Sequence, residues 1–232
     1  MLRKWSELPE NMRNDAVKKY YEILNKKKSA LRVKRMADVF LVLIFIILLS
    51  PIMFLIACWI KLDSKGPVFY RQERVTQYGR KYRIFKFRTM ITDADRKGPL
   101  VTEKGDSRIT KAGKKLRKLR LDEIPQLFNI LTGDMTFVGT RPEVQKYVDH
   151  YTDEMKATLL LPAGITSNTS IVYKDEDGII EFYLQKGMTD VDEIYINKIL
   201  PEKMKYNLEY IRTFDFISDI KIMLRTALAV VK

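Results

Sequence analysis

The sequence predicts an α+β fold attached to a membrane from one side: a re-entrant broken helix, amphipathic surface helices and a small β-hairpin or sheet around a site. Three observations lead there. Residues 39–60 (VFLVLIFIILLSPIMFLIACWI) form a run of 22 residues without a charge. Two alternating segments, 68–75 and 81–90, flank the turn-forming stretch Thr76-Gln77-Tyr78-Gly79. Apolar residues at helical spacing recur on both sides of these features. With 46% apolar and 31% charged residues in 232, the chain can build one sizeable core, and neither global disorder nor a polytopic membrane protein fits.

The elements follow in order. Residues 1–35 are polar and basic, with Val17, Tyr20, Tyr21 and Leu24 on one helical face. They read either as an amphipathic helix at a membrane surface or as an ordinary solvated helix. The apolar run spans ~33 Å as a helix, about one bilayer core. Ser50-Pro51 interrupts it midway, and an interior proline removes a backbone hydrogen bond and kinks a helix. Lys26, Lys27, Lys28, Arg32, Lys34 and Arg35 precede the run, and Lys61, Lys65, Arg71 and Arg74 follow it. The positive-inside tendency draws both ends to the cytoplasm. A helix that breaks at Ser50-Pro51 and returns to the same side satisfies both facts, with the Ser50 hydroxyl capping a carbonyl freed by Pro51. A spanning helix stays open as the alternative.

In the second hairpin strand Lys86 and Arg88 are two apart and project from one face. Residues 92–107 read as a polar loop and 109–121 as a basic helix. Ile124, Leu127, Phe128 and Leu131 mark a short helix with Pro125 near its start and Gly133 past its end. Residues 167–200 read as loop, with Asp175, Glu176 and Asp177 as solvated surface. The last stretch, 216–231, is apolar on most of its circumference, an interfacial or a packing helix.

Charge narrows the function. The net +13 divides into +6 over residues 1–38, +13 over 61–120 and −6 over 121–232, so the basic surface flanks the apolar run. One cysteine, Cys58, excludes a disulfide framework or a cysteine zinc site. One histidine, His150, excludes a multi-histidine metal site, so carboxylates and cations must carry any chemistry. The best candidate is Leu121-Asp122-Glu123-Ile124-Pro125-Gln126: an acidic pair at a helix start, preceded by Lys114, Lys115, Arg117, Lys118 and Arg120. That pattern suits metal-assisted phosphate chemistry, one carboxylate holding Mg²⁺ while the other attacks phosphorus. Helix capping with surface ion pairs is the plainer alternative. Gly139-Thr140-Arg141-Pro142 adds a glycine for close backbone approach and an arginine fork for phosphate. No nucleic-acid motif accompanies the basic stripe, so anionic lipid headgroups or a lipid phosphate are its expected partners rather than nucleic acid.

Taken in order, the motifs resemble the bacterial sugar transferase family, the small monotopic phosphoglycosyl transferases. They are Lys34-Arg35-Met36-Ala37-Asp38, Ser50-Pro51, Gly66-Pro67-Val68-Phe69-Tyr70-Arg71-Gln72-Glu73-Arg74, Lys86-Phe87-Arg88-Thr89-Met90 and Asp106-Ser107-Arg108-Ile109-Thr110. Leu116-Arg117-Lys118, Leu121-Asp122-Glu123-Ile124-Pro125-Gln126-Leu127-Phe128-Asn129, Gly133-Asp134-Met135, Val138-Gly139-Thr140-Arg141-Pro142, Pro162-Ala163-Gly164-Ile165-Thr166 and Asp219-Ile220-Lys221 with Thr226 continue the series.

The resemblance implies transfer of a sugar 1-phosphate from a UDP-sugar to undecaprenyl phosphate with release of UMP, the first membrane step of a bacterial surface glycan. It implies Asp122 as nucleophile, Glu123 as Mg²⁺ ligand, and Lys86, Arg88, Arg117 and Arg141 around the phosphates. It also favours the re-entrant helix at Ser50-Pro51 and places the enzyme on the cytoplasmic face of the inner membrane. The implied organisation is a basic amphipathic segment (1–35), a re-entrant helix (36–62) and a catalytic domain with an interfacial C-terminal helix (63–232), the family's minimal form. The donor sugar and the oligomeric state stay open. Three departures stand out. Thr140 replaces the usual proline, Ser167-Asn168-Thr169-Ser170-Ile171 replaces Gly-Trp-Ala-Gln-Val, and Asn207 stands where aspartate is common. They bear on donor recognition rather than on the reaction. Two other classes compete: a catalytically silent basic membrane adaptor, and a spanning scaffold with its C-terminal domain outside.

Overall fold

A computed structural model describes residues 2–94, 106–173 and 176–231. Helix α1 (Asp15–Lys26) is started by Asn14, whose side chain accepts from the Val17 amide at 2.9 Å. Its Val17, Tyr20, Tyr21 and Leu24 are all buried, sharing one core with Leu160, Ile211 and Phe214. The apolar face of this segment therefore turns into the protein. The expectation that it meets a membrane through that face is corrected, because the same stripe closes the core instead.

Helix α2 (Lys28–Asp63) runs 36 residues with Pro51 inside it, and helical structure continues through the proline, so the break expected at Ser50-Pro51 is corrected to an uninterrupted helix. Without an amide, Pro51 leaves the carbonyl four residues back unpaired. That carbonyl belongs to Ile47, and the Ser50 hydroxyl donates to it at 2.9 Å. One stripe of α2 lies against the body along its length. Lys34 pairs with Asp219 at 2.6 Å, and Arg35 donates to the Ile130 carbonyl at 2.7 Å. Val42, buried, packs on the main core, and Met53, Ile56 and Ile60 pack on Phe87 and Leu116. At its end the Asp63 carboxylate accepts from the Ala112 amide at 3.0 Å. The opposite face leaves Phe40, Ile47, Leu48, Phe54 and Leu55 exposed.

Strands β1 (Phe69–Val75) and β2 (Lys81–Phe87) pair antiparallel, Tyr70 opposite Lys86, around a turn with Tyr78 and Gly79 at positive φ. Helix α3 (Lys111–Lys118) is capped by Thr110, whose hydroxyl accepts from the Gly113 amide. A tight turn, Leu121–Gln126, leads into α4 (Leu127–Thr132), which Gly133 ends in the left-handed region. Strand β3 (Met135–Val138) precedes α5 (Gln145–Val148) and, after a turn at Met155–Leu160, pairs parallel with β4 (Ala163–Thr166). Here Gly139 and Gly164 cross closely: a Cβ on Gly164 would sit 2.2 Å from the Gly139 nitrogen. The freedom read at Gly139 thus serves the approach of two strands.

Beyond β4 the reading of 167–200 as loop is overturned. It holds α6 (Asn168–Val172), α7 (Glu176–Gln185), α8 (Val191–Ile194) and a wide turn, Tyr195–Ile199, that leads into α9 (Leu200–Arg212). Ser167 and Asp190 cap α6 and α8 through their side chains. Ile180, Ile194, Tyr195, Ile199 and Leu200 bury themselves with Tyr147 and Tyr151 in a second core. Helix α10 (Phe216–Val231) closes the chain with Ile217, Ile220, Leu224 and Leu228 exposed along one side. Of the loop read at 92–107, residues 95–105 lie outside the described residues.

Candidate active site

Asp122 and Glu123 open the turn at Leu121–Gln126, entered through Arg120 in the left-handed conformation (φ 55). The turn packs on β2, and that contact brings Lys86 to the acidic pair: its ammonium lies 3.0 Å from Glu123 Oε1. The Arg120 and Arg141 guanidiniums stand 3.8 and 4.0 Å from the same oxygen. Burial raises the Glu123 pKa, but Lys86, Arg141 and Arg120 together outweigh it and bring the group down to about 2. Asp122 goes the other way. Burial is its largest influence and pushes its pKa up, with Glu123 adding to the rise and Lys86, Arg117 and Arg120 opposing it. Two neighbouring carboxylates are thereby driven apart, one firmly ionised and one proton-seeking.

Depression of Glu123 has a signed consequence. Its stabilising contribution is complete above its ordinary value of 4.5 and is lost as pH falls from there through about 2. Melting temperature measured across this window should fall less steeply in Glu123→Gln than in wild type; equal slopes would refute the assignment.

The pair faces a cavity of about 850 Å³, in the range of small-molecule sites. Lys86, Arg88, Arg117, Arg120 and Arg141 line it together with Asp122 and Glu123. Sequence-predicted Lys86, Arg117 and Arg141 are thus brought to one space. Arg88 reaches the same cavity, but its guanidinium is engaged elsewhere. It donates to the Ser64 carbonyl at 2.6 Å, the Ser64 hydroxyl at 2.9 Å and the Lys65 carbonyl at 2.8 Å. A Cβ on Gly66 would lie 1.9 Å from Arg88 Nη1, so glycine keeps this seat open. Arg88 therefore caps the end of α2 and ties it to the strand that carries Lys86. Arg88→Ala should cost about 1–3 kcal/mol of stability, since the carbonyls that end α2 lose a charged donor; an unchanged denaturation midpoint in detergent would exclude this role. Ser50 and Pro51 lie in α2, outside the residues lining the cavity.

Sequence reasoning missed two groups. Asn129 accepts from the Phe85 amide at 2.8 Å and donates to the Arg83 carbonyl at 3.1 Å, pairing the outer edge of β2 and so fixing Lys86. The available signal was a polar side chain at helical spacing from Asp122 inside an apolar stretch. Glu143, Tyr195 and Lys203 also line the cavity; Glu143 directly follows the Gly139–Pro142 motif, and no motif marks the other two. The departures at 167–171 and 207 meet: the Thr169 hydroxyl donates to the Asn207 side chain at 2.8 Å, and Arg141 donates to the Ser170 hydroxyl at 3.3 Å.

Among the described residues no three His, Cys, Asp or Glu side chains cluster as metal ligands. Glu123, ionised and beside Asp122, still fits a hard cation that takes one or two carboxylates and completes its shell with phosphate and water.

The chain is 34% identical over 197 residues to the UDP-N-acetylgalactosamine-undecaprenyl-phosphate N-acetylgalactosaminephosphotransferase of Aeromonas hydrophila, covering 84% of this chain and 42% of that protein. It is 34% and 33% identical to the UDP-glucose:undecaprenyl-phosphate glucose-1-phosphate transferases of Klebsiella pneumoniae and Caulobacter vibrioides. Each match covers 83% of this chain, with 39% of the Klebsiella protein and 67% of the Caulobacter protein. The chain thus spans about two fifths of the length of the first two relatives. Residues 29–232 match the family described as Bacterial sugar transferase, and the chain belongs to that family.

Proposed function

We propose that this protein transfers a sugar 1-phosphate from a UDP-sugar to undecaprenyl phosphate and releases UMP. The observation that carries the reading is the divided carboxylate pair: a buried Asp122 beside a Glu123 held by three cations, in a cavity whose Arg88 grips the end of the membrane helix. A silent adaptor has no use for a buried carboxylate whose ionisation works against folding.

In the proposed sequence the donor's diphosphate lies among Lys86, Arg117, Arg120 and Arg141, which neutralise its oxygens and aim its β-phosphorus at Asp122. An ionised Asp122 oxygen attacks that phosphorus, an O–P bond forms, and the bridging P–O bond breaks so that UMP leaves with the bridging oxygen. The lipid phosphate then attacks the same phosphorus and expels the Asp122 carboxylate, regenerating the enzyme. Glu123 would hold Mg²⁺, which when bound supplies further charge neutralisation at the phosphates.

The membrane reading is re-entrant. Residues 34–38 and 60–65 contact the same folded body at the two ends of α2, whereas a spanning helix separates its ends by ~30 Å of hydrocarbon. The exposed faces of α2 and α10 supply the apolar surface for one leaflet, with the basic surface toward anionic headgroups of the cytoplasmic face. Cysteines placed at 27 and 65 in a Cys58→Ser background should both react from the cytoplasmic side, and reaction of one from the outside would exclude re-entry. For the reaction, UMP release is measured from a panel of UDP-sugars with undecaprenyl phosphate, with and without Mg²⁺. Mg²⁺-dependent release from at least one donor is expected; silence with every donor overturns the proposal.

A further inference from the structure

The cavity continues past the carboxylate pair to a second wall of different chemistry. There Lys203 of α9, only 2% exposed, lies 3.1 Å from Glu143 Oε1 and 3.0 Å from Glu176 Oε2 and donates to the Tyr195 hydroxyl. Tyr195 in turn donates to Glu143 at 2.8 Å. All four side chains line the cavity, and they come from four separate segments. Burying a lysine with a glutamate is expensive in desolvation, and the transfer step leaves this group without a task. Burial raises the Glu143 pKa, but Lys203 and Arg74 outweigh it, so the carboxylate is held ionised.

Arg141 stands where the two walls meet, 4.0 Å from Glu123 on one side and 3.3 Å from the Ser170 hydroxyl on the other. The space is therefore polarised. Lys86, Arg117 and Arg120 act on Asp122, while on the second wall Glu143 and Glu176 are matched by Lys203 and Arg74. A diphosphate is drawn to the near wall, whose cations outnumber its carboxylates, and gains less at the second, where each glutamate already has a cation partner. An uncharged polyhydroxyl group has the opposite preference, because its hydroxyls donate to carboxylates and accept from lysine, serine and threonine. Tyr147 and Tyr195 stack on each other at 4.2 Å and are buried, so neither opens a ring face to a nucleobase.

We propose that Glu143, Glu176 and Lys203, with Ser170, form the subsite that reads the hydroxyl pattern of the donor's sugar and so selects which UDP-sugar reacts. This rests on the transfer reaction proposed above, and the test separates the two. The full chain in detergent is titrated with UDP and with a panel of UDP-sugars, and kcat/KM is compared for donors that differ at one hydroxyl. Two variants are used: Glu176→Gln, which retains an acceptor at a partly exposed position, and Ser170→Ala, which removes one hydroxyl.

Wild type should prefer its UDP-sugar over UDP. Glu176→Gln should reduce that preference about tenfold and shift the kcat/KM ratio between epimeric donors by a similar factor, as loss of one charged hydroxyl contact does. Ser170→Ala should shift the ratio in a smaller measure. Equal loss for UDP and UDP-sugar, or unchanged ratios in both variants, overturns the subsite while transfer still stands. Failure of wild type to bind or turn over any UDP-sugar overturns both.

Discussion

Asp122→Asn is expected to lower UMP release at least about 10³-fold and yet to melt no lower than wild type. In the proposed mechanism Asp122 is the attacking carboxylate, so its loss would remove the covalent route and leave a residual rate from phosphate positioning alone. The stability half follows from the sign of the pKa change. Burial raises Asp122 above its ordinary value, so its charged form costs the folded state free energy at every pH above the folded pKa. A neutral amide of the same shape removes that cost, and Tm at pH 7 should hold or rise. The check is a thermal melt and a UMP assay on one preparation. A variant that melts lower and loses activity in proportion would point to a structural carboxylate instead.

Lys86→Met should fail in both respects. Glu123 loses the cation 3.0 Å away and keeps only Arg120 at 3.8 Å and Arg141 at 4.0 Å. Removing one member of a largely desolvated pair leaves the other poorly compensated, so a loss of about 1–3 kcal/mol is expected. Activity should fall about 10²- to 10³-fold, as when one preorganised donor to a phosphoryl group is deleted. The Glu123 pKa should also climb from about 2 toward 4.5, which carbon-13 titration of its carboxylate reads directly. No change in that titration would show that Lys86 does not hold Glu123.

Much of the local structure was legible because its causes are local. The hairpin follows from alternation around Thr76–Gly79, α4 from the spacing of Ile124, Leu127 and Phe128 before Gly133, and the proline compensation from Ser50 beside Pro51. The stretch 167–200 was illegible because its helices are short and lean on a shared core. Ser167 and Asp190 were readable as caps, but Ile180, Ile194 and Ile199 acquire their meaning from Tyr147 and Tyr151, more than twenty-five residues away. Strands β3 and β4 are four residues each, too short for a period to show.

The candidate site divides along the same line. The sequence by itself determined the acidic pair, the cationic stretch before it, the uncharged run and the family to which these belong, because composition and spacing encode them directly. Only tertiary packing decided which cations meet which carboxylate. Lys86 is 37 residues from Glu123 and arrives there because β2 packs on the turn at Leu121–Gln126. Arg88, two residues further, leaves for the carbonyls that end α2. The second wall, joining Glu143, Glu176, Tyr195 and Lys203, has no period at all. Periodicity tells a side chain which face of its own element it occupies; which neighbour fills that face depends on how separate elements pack, and Coulomb energies between remote residues exist only after that packing is complete.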